Sequence, residues 1–98
     1  MILVVSAEAF EVREPNVFSA LEVRSALAIG PLAEAASALG LGIIDPDQLH
    51  VWIEPEVLRL DGDAERIRAI DGMLAYAAGR GWVDDAGRVR AHLAVRAA

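Results

Sequence analysis

The chain has 98 residues, a net charge of −6 with a pI near 4.7, and no cysteine. That length suits one domain, 1–98, and leaves no room for a second. Disulfides, thiolate metal sites and cysteine nucleophiles are excluded, and so acidic a chain is poorly made to neutralise phosphates, which argues against nucleic acid as a partner.

The N-terminal run Met1–Val5 lacks the basic start and long apolar core of a secretory signal. No run approaches the roughly 20 apolar residues of a membrane helix. A cytoplasmic protein without a membrane partner is expected. The hydrophobic fraction of 55% is high for so small a chain and points to a homo-oligomer, although much of it is alanine. Every basic residue is arginine, as a GC-rich coding sequence gives by default.

Taken in order, Ile2 to Val12 is expected as a strand, with Ile2–Val5 apolar enough to be central. Arg13-Glu14-Pro15-Asn16 is a turn. Val17 to Arg24 alternates at its end like a second strand, while Phe18, Leu21 and Ser25 also fit a helix face; the strand is favoured. Gly30-Pro31 opens a helix with proline at its first position, and Gly40 and Gly42 stop it. Asp45-Pro46-Asp47 is a turn, and Leu49 to Ile53 alternates as a strand. Glu54-Pro55-Glu56 then breaks that strand, which resumes over Val57 to Leu60.

The clearest helix runs from Ala64 to Ala78, capped by Asp61-Gly62-Asp63 and ended by Gly79 and Gly81. Its apolar stripe is Ile67, Ile70, Leu74, Ala77 and Ala78. Trp82, after the helix, reads as a core or interface anchor. Asp84 to Gly87 is a turn, and Arg88 to Val95 is the last strand. The two halves share an order of strand, helix, Gly-apolar-apolar-Asp and strand. Such a repeated β-α-β pattern predicts an α+β, ferredoxin-like two-layer sandwich: an antiparallel sheet with two helices on one face. An N-terminal extra strand near Val17 fits that plan least neatly.

Strand alternation places His50, Trp52 and Glu54 on one face and Val51 and Ile53 on the other. Arg88, Arg90 and His92 likewise share a face. In a ferredoxin-like sheet these strands are not neighbours but share the helix-free side. His50, Trp52, Glu54, Arg90 and His92 are therefore the candidate ligand-binding or interface residues. As a site, the imidazoles could move protons, Arg90 could hold an anion and Trp52 could stack on a planar ligand. As an interface, Trp52 covers apolar surface while the charges pair across strands. The interface is the simpler reading.

No catalytic residue is assigned: Ser6, Ser19, Ser25 and Ser37 lack a nucleophile elbow, and no glycine loop has phosphate-cradling spacing. No cofactor and no metal is expected either. His50, His92 and Glu54 are suitable ligand types without diagnostic spacing, and Asp45-Pro46-Asp47 and Asp61-Gly62-Asp63 lack the ligand run of an EF-hand. The stretch from Ala78 to Val89 is similar to a helix entering the wing of a winged helix, but no basic recognition face precedes it. The function expected is a small acidic protein-interaction or oligomerisation module of accessory, immunity or inhibitor type, with a protein partner of basic surface. The alternative is a small oligomeric ferredoxin-like enzyme or ligand binder using the polar sheet face, and whether the chain is an enzyme stays open.

Overall fold

The computed structural model describes residues 1–59 and 62–95, with the side chain of Val95 left aside. Its elements are β1 (Ile2–Val5), β2 (Phe10–Arg13), β3 (Glu22–Ser25), α1 (Ile29–Ala38), β4 (Gly42–Ile44), β5 (His50–Ile53), α2 (Pro55–Arg59), α3 (Ala64–Gly79) and β6 (Val89–Val95). The six strands form one mixed sheet in the order β2-β1-β3-β6-β5-β4, curled as a half-barrel. β1, β3 and β6 run parallel to one another, while β2, β5 and β4 join by antiparallel pairing.

This corrects the expected ferredoxin-like sandwich, whose sheet is antiparallel with two helices on one face. Three local events undo it. The stretch from Ile2 to Val12 folds back on itself at Ser6, whose hydroxyl and N–H both bond to the Ala9 carbonyl, so one expected strand becomes the β1–β2 hairpin. The ambiguous Val17–Arg24 segment is a strand only from Glu22, and it lies parallel to β1 instead of closing an antiparallel hairpin. Pro55 does not interrupt a strand. It starts α2, where a missing N–H costs nothing, with Glu56 in the first turn and Arg59 in the last, each favourable to the helix dipole. Leu60 and Asp61, expected in a strand and a cap, lie outside the described residues.

The better-marked helices hold. Asp63 caps α3 by accepting the Arg66 N–H at 2.8 Å. α1 begins at Ile29, earlier than proline alone suggests, leaving Pro31 within the first turn where its N–H is not missed. Gly40 ends that helix at φ +69, a conformation glycine adopts without strain.

One core joins these elements. The strands give it Leu3, Val5, Val23, Val51, Ile53, Val89, Ala91 and Leu93. The helices add Leu32, Ala35 and Ala36 from α1, Val57 and Leu58 from α2, and Ile70 and Ala77 from α3. Of the predicted α3 stripe, Ile70 and Ala77 are fully buried, Ile67 and Leu74 are half-buried and Ala78 is exposed. Ser25 is a buried polar residue in this setting, and it is satisfied: its hydroxyl donates to the Val5 carbonyl at 2.7 Å and accepts the Leu27 N–H. The Met1 amine donates to the carbonyls of Val17 and Ala20, each at 2.8 Å, and tethers the loop before β3. Among the described residues, no helix is long and apolar enough to cross a membrane.

Candidate functional site

The core takes the inward residues of β5 and β6 and leaves their alternate residues on the outer face of the sheet. These two strands are paired neighbours, contrary to the ferredoxin-like expectation that would separate them. The register sets His50 directly opposite His92 and Trp52 opposite Arg90. Four of the five candidate residues thereby form two adjacent cross-strand pairs. The fifth, Glu54, lies beyond the end of β5, where its N–H donates to Leu41 and its carbonyl accepts the Val57 N–H, so it closes the strand and starts α2.

The His50 and His92 rings meet edge to face with centroids 6.3 Å apart. Asp47 holds the His50 ring through Oδ2, 2.8 Å from Nδ1, while Oδ1 accepts the N–H groups of Leu49 and His50. The Leu49 N–H, followed by the His50 side chain, holds the Asp47 carboxyl below its ordinary pKa. Asp45 fixes Trp52 in the same way, accepting the indole N–H at 2.8 Å through Oδ1 and the Asp47 N–H through Oδ2. The Asp45-Pro46-Asp47 turn is thus a brace for β5, with its carboxylate oxygens committed to N–H groups and the His50 ring. Among the described residues, no three histidine, aspartate or glutamate side chains are placed to hold a metal ion.

Register carries the Trp52–Arg90 row further on both sides. Ile43 of β4 lies opposite Trp52. Beyond β6, the bridge between Val83 and Val89 and the bond from the Arg90 N–H to the Trp82 carbonyl set Trp82 opposite Arg90. The Arg90 guanidinium lies 5.9 Å from the Trp82 ring centre, within cation–π range, and Arg80 approaches the same ring at 5.4 Å. A row of Arg90, Trp52 and Ile43 therefore crosses the outer face, flanked at Arg90 by Trp82, which also packs against the core and meets the Tyr76 ring of α3 edge to face at 6.1 Å. Asp84 supports its Trp82 end by accepting N–H groups of Ala86 and Arg88 and pairing with the Arg88 guanidinium at 2.8 Å. Sequence alternation found Trp52 and Arg90. Trp82 reads from sequence as a core or interface anchor by its place after α3, although a single bridge leaves no alternation to set it beside Arg90. Ile43 was missed, because a three-residue strand leaves too short a pattern to read.

A second feature lies on the inner side of the sheet. An open groove of about 930 Å³ runs between β2 and the helices, lined by Phe10, Val12, Phe18, Val57, Arg66 and Ala69 among others. Its arginine is committed elsewhere: Nη1 donates to the Leu58 carbonyl at 2.7 Å and Nε to the Pro15 carbonyl at 3.2 Å. Arg66 is a clamp between α2, α3 and the loop after β2.

No family model, no curated protein and no solved structure matches the chain.

Proposed function

We propose that the chain is a small acidic protein-interaction module that self-associates through the outer face formed by β4, β5 and β6. The row of Arg90, Trp52 and Ile43, flanked by the partly core-packed Trp82, carries this reading. On β2 and β3 the outward side chains instead form charge pairs, Arg13 with Glu11 and Arg24 with Glu22. Aromatic and arginine side chains set among apolar neighbours are the residues that anchor protein contacts. Ile43 adds an aliphatic side chain that is 48% exposed. The net charge of −6 suits a further partner with a basic surface, as an accessory, immunity or inhibitor subunit would have. A cysteine-free chain is also suited to a reducing, cytoplasmic setting.

Sedimentation of a His50→Ala, Trp52→Ala double variant across a concentration series tests this. The variant should keep its circular dichroism and dissociate at concentrations where the unaltered chain remains associated. Unchanged association would remove the outer face from the contact.

A further inference from the structure

Beyond the outer-face contact, we propose a second contact between copies, edge to edge: β4 of one chain pairs antiparallel with β4 of the other across a two-fold axis at Ile43. β4 meets β5 in the register Ile43 to Trp52, flanked by bonds from the Asp45 N–H to the His50 carbonyl at 2.9 Å and from the Glu54 N–H to the Leu41 carbonyl at 2.8 Å. Antiparallel alternation therefore turns the main-chain groups of Ile43 toward β5 and those of Gly42 and Ile44 away from it. β4 is the last strand of the sheet, so in this register the Gly42 and Ile44 N–H groups turn to its open side, and both residues are half-buried. Open edge donors and acceptors of this kind are a template for another strand.

A second copy supplies the matching strand. With the two-fold axis at Ile43, Gly42 of each chain faces Ile44 of the other in hydrogen-bonded pairs. Four hydrogen bonds then use every open N–H and C=O of the Gly42 and Ile44 residues once. Ile43 faces its own counterpart in the closer, non-hydrogen-bonded pair, and the outer face gains a continuous row of Trp52, Ile43, Ile43 and Trp52. No charged side chain lies within Gly42–Ile44 to oppose the approach. The nearest carboxylate, Asp45, stands across from Leu41 of the other copy and not from another carboxylate, and it already accepts the Trp52 indole N–H. The pairing is closed. Two six-stranded sheets become one, and the edges left over are the two copies of β2, which carry Glu11 and Arg13.

Amide hydrogen exchange on the full chain, read by NMR from micromolar to millimolar concentration, tests the pairing. The Gly42 and Ile44 amides should slow by about tenfold or more as the dimer forms. Ile43→Lys, which puts a charge on an exposed position, should restore their monomer rates and raise the dimer Kd by about a hundredfold or more. Ile43→Val should keep association. Association that leaves the two amides at monomer rates overturns the edge pairing while the outer-face contact stands. Slowed exchange combined with unchanged association of the His50→Ala, Trp52→Ala chain supports the edge pairing and removes the outer-face contact. A chain that stays monomeric at millimolar concentration overturns both.

Discussion

At one edge of the sheet, β2 alternates Phe10 and Val12 inward with Glu11 and Arg13 outward, and Glu14 follows directly. At the other, β4 is Gly42-Ile43-Ile44, with its one outward side chain apolar and exposed. The first edge carries charge where another strand would approach, a common device against edge-to-edge association. It also keeps its apolar residues on the inner side, over the groove that Arg66 borders. The second edge has no such guard and instead presents open main-chain groups beside Trp52. The difference teaches that the two ends of one small sheet can be built differently, one guarded by charge and one left apolar, and the proposed edge pairing rests on the second.

The sharpest way to break this contrast is to destroy one edge alone. Gly42 has φ +148, and a Cβ placed there would lie 1.8 Å from the Trp52 carbonyl oxygen, a main-chain atom that cannot yield. Gly42→Val should therefore cost about 4 kcal/mol by forcing β4 off β5. Chemical denaturation measures the loss, and amide exchange should localise it to the β4–β5 hairpin while β1 and β2 stay protected. Equal loosening at both edges would show that the sheet fails as a unit.

A milder change acts on the other side. Arg66→Ala removes the donors to the Leu58 and Pro15 carbonyls and should cost about 1–2 kcal/mol. Exchange should quicken in the loop after β2, around Asn16 to Phe18, with the β4 amides unchanged. A stability equal to that of the unaltered chain would show that water replaces the clamp.

The smallest effect belongs to Asp84, which supports the Trp82 end of the outer row. Burial pushes its carboxyl pKa up, but the Arg88 N–H, the Arg88 guanidinium and the Ala86 N–H together outweigh that and leave it lowered. A carboxyl with a lowered folded-state pKa stabilises the fold above its unfolded value near 4 and loses that contribution as pH falls through the folded value. Asp84→Asn should cost about 1 kcal/mol at neutral pH. The difference from the unaltered chain should shrink as the pH drops below about 4. A difference that is constant with pH would assign the effect to turn geometry instead of charge.

Much of this architecture is written in short-range pattern. Asp63 before an apolar stripe and glycines after it mark α3, because caps and helical periodicity act within a few residues. Alternation around Val51 and Ala91 places His50, Trp52, Arg90 and His92 on one face without any knowledge of neighbours. Pro55 shows the limit of local signals, since a proline serves equally as a strand breaker and as a first helical residue. The contact of Val57 and Leu58 with the core settles that choice in favour of α2.

The order of the strands is another matter. β1 is apolar throughout while β3 and β6 alternate, and each could pair with several partners, so their parallel union is decided by which arrangement buries Leu3, Val23 and Leu93 together against the helices. That choice also makes β5 and β6 neighbours, and so brings His50 against His92 from 42 positions away in the chain. Side-chain pattern fixed which residues face outward, because it depends on the pleat of each strand alone. Tertiary packing decided which of them meet, because strand pairing is a competition among distant segments that no local periodicity can resolve.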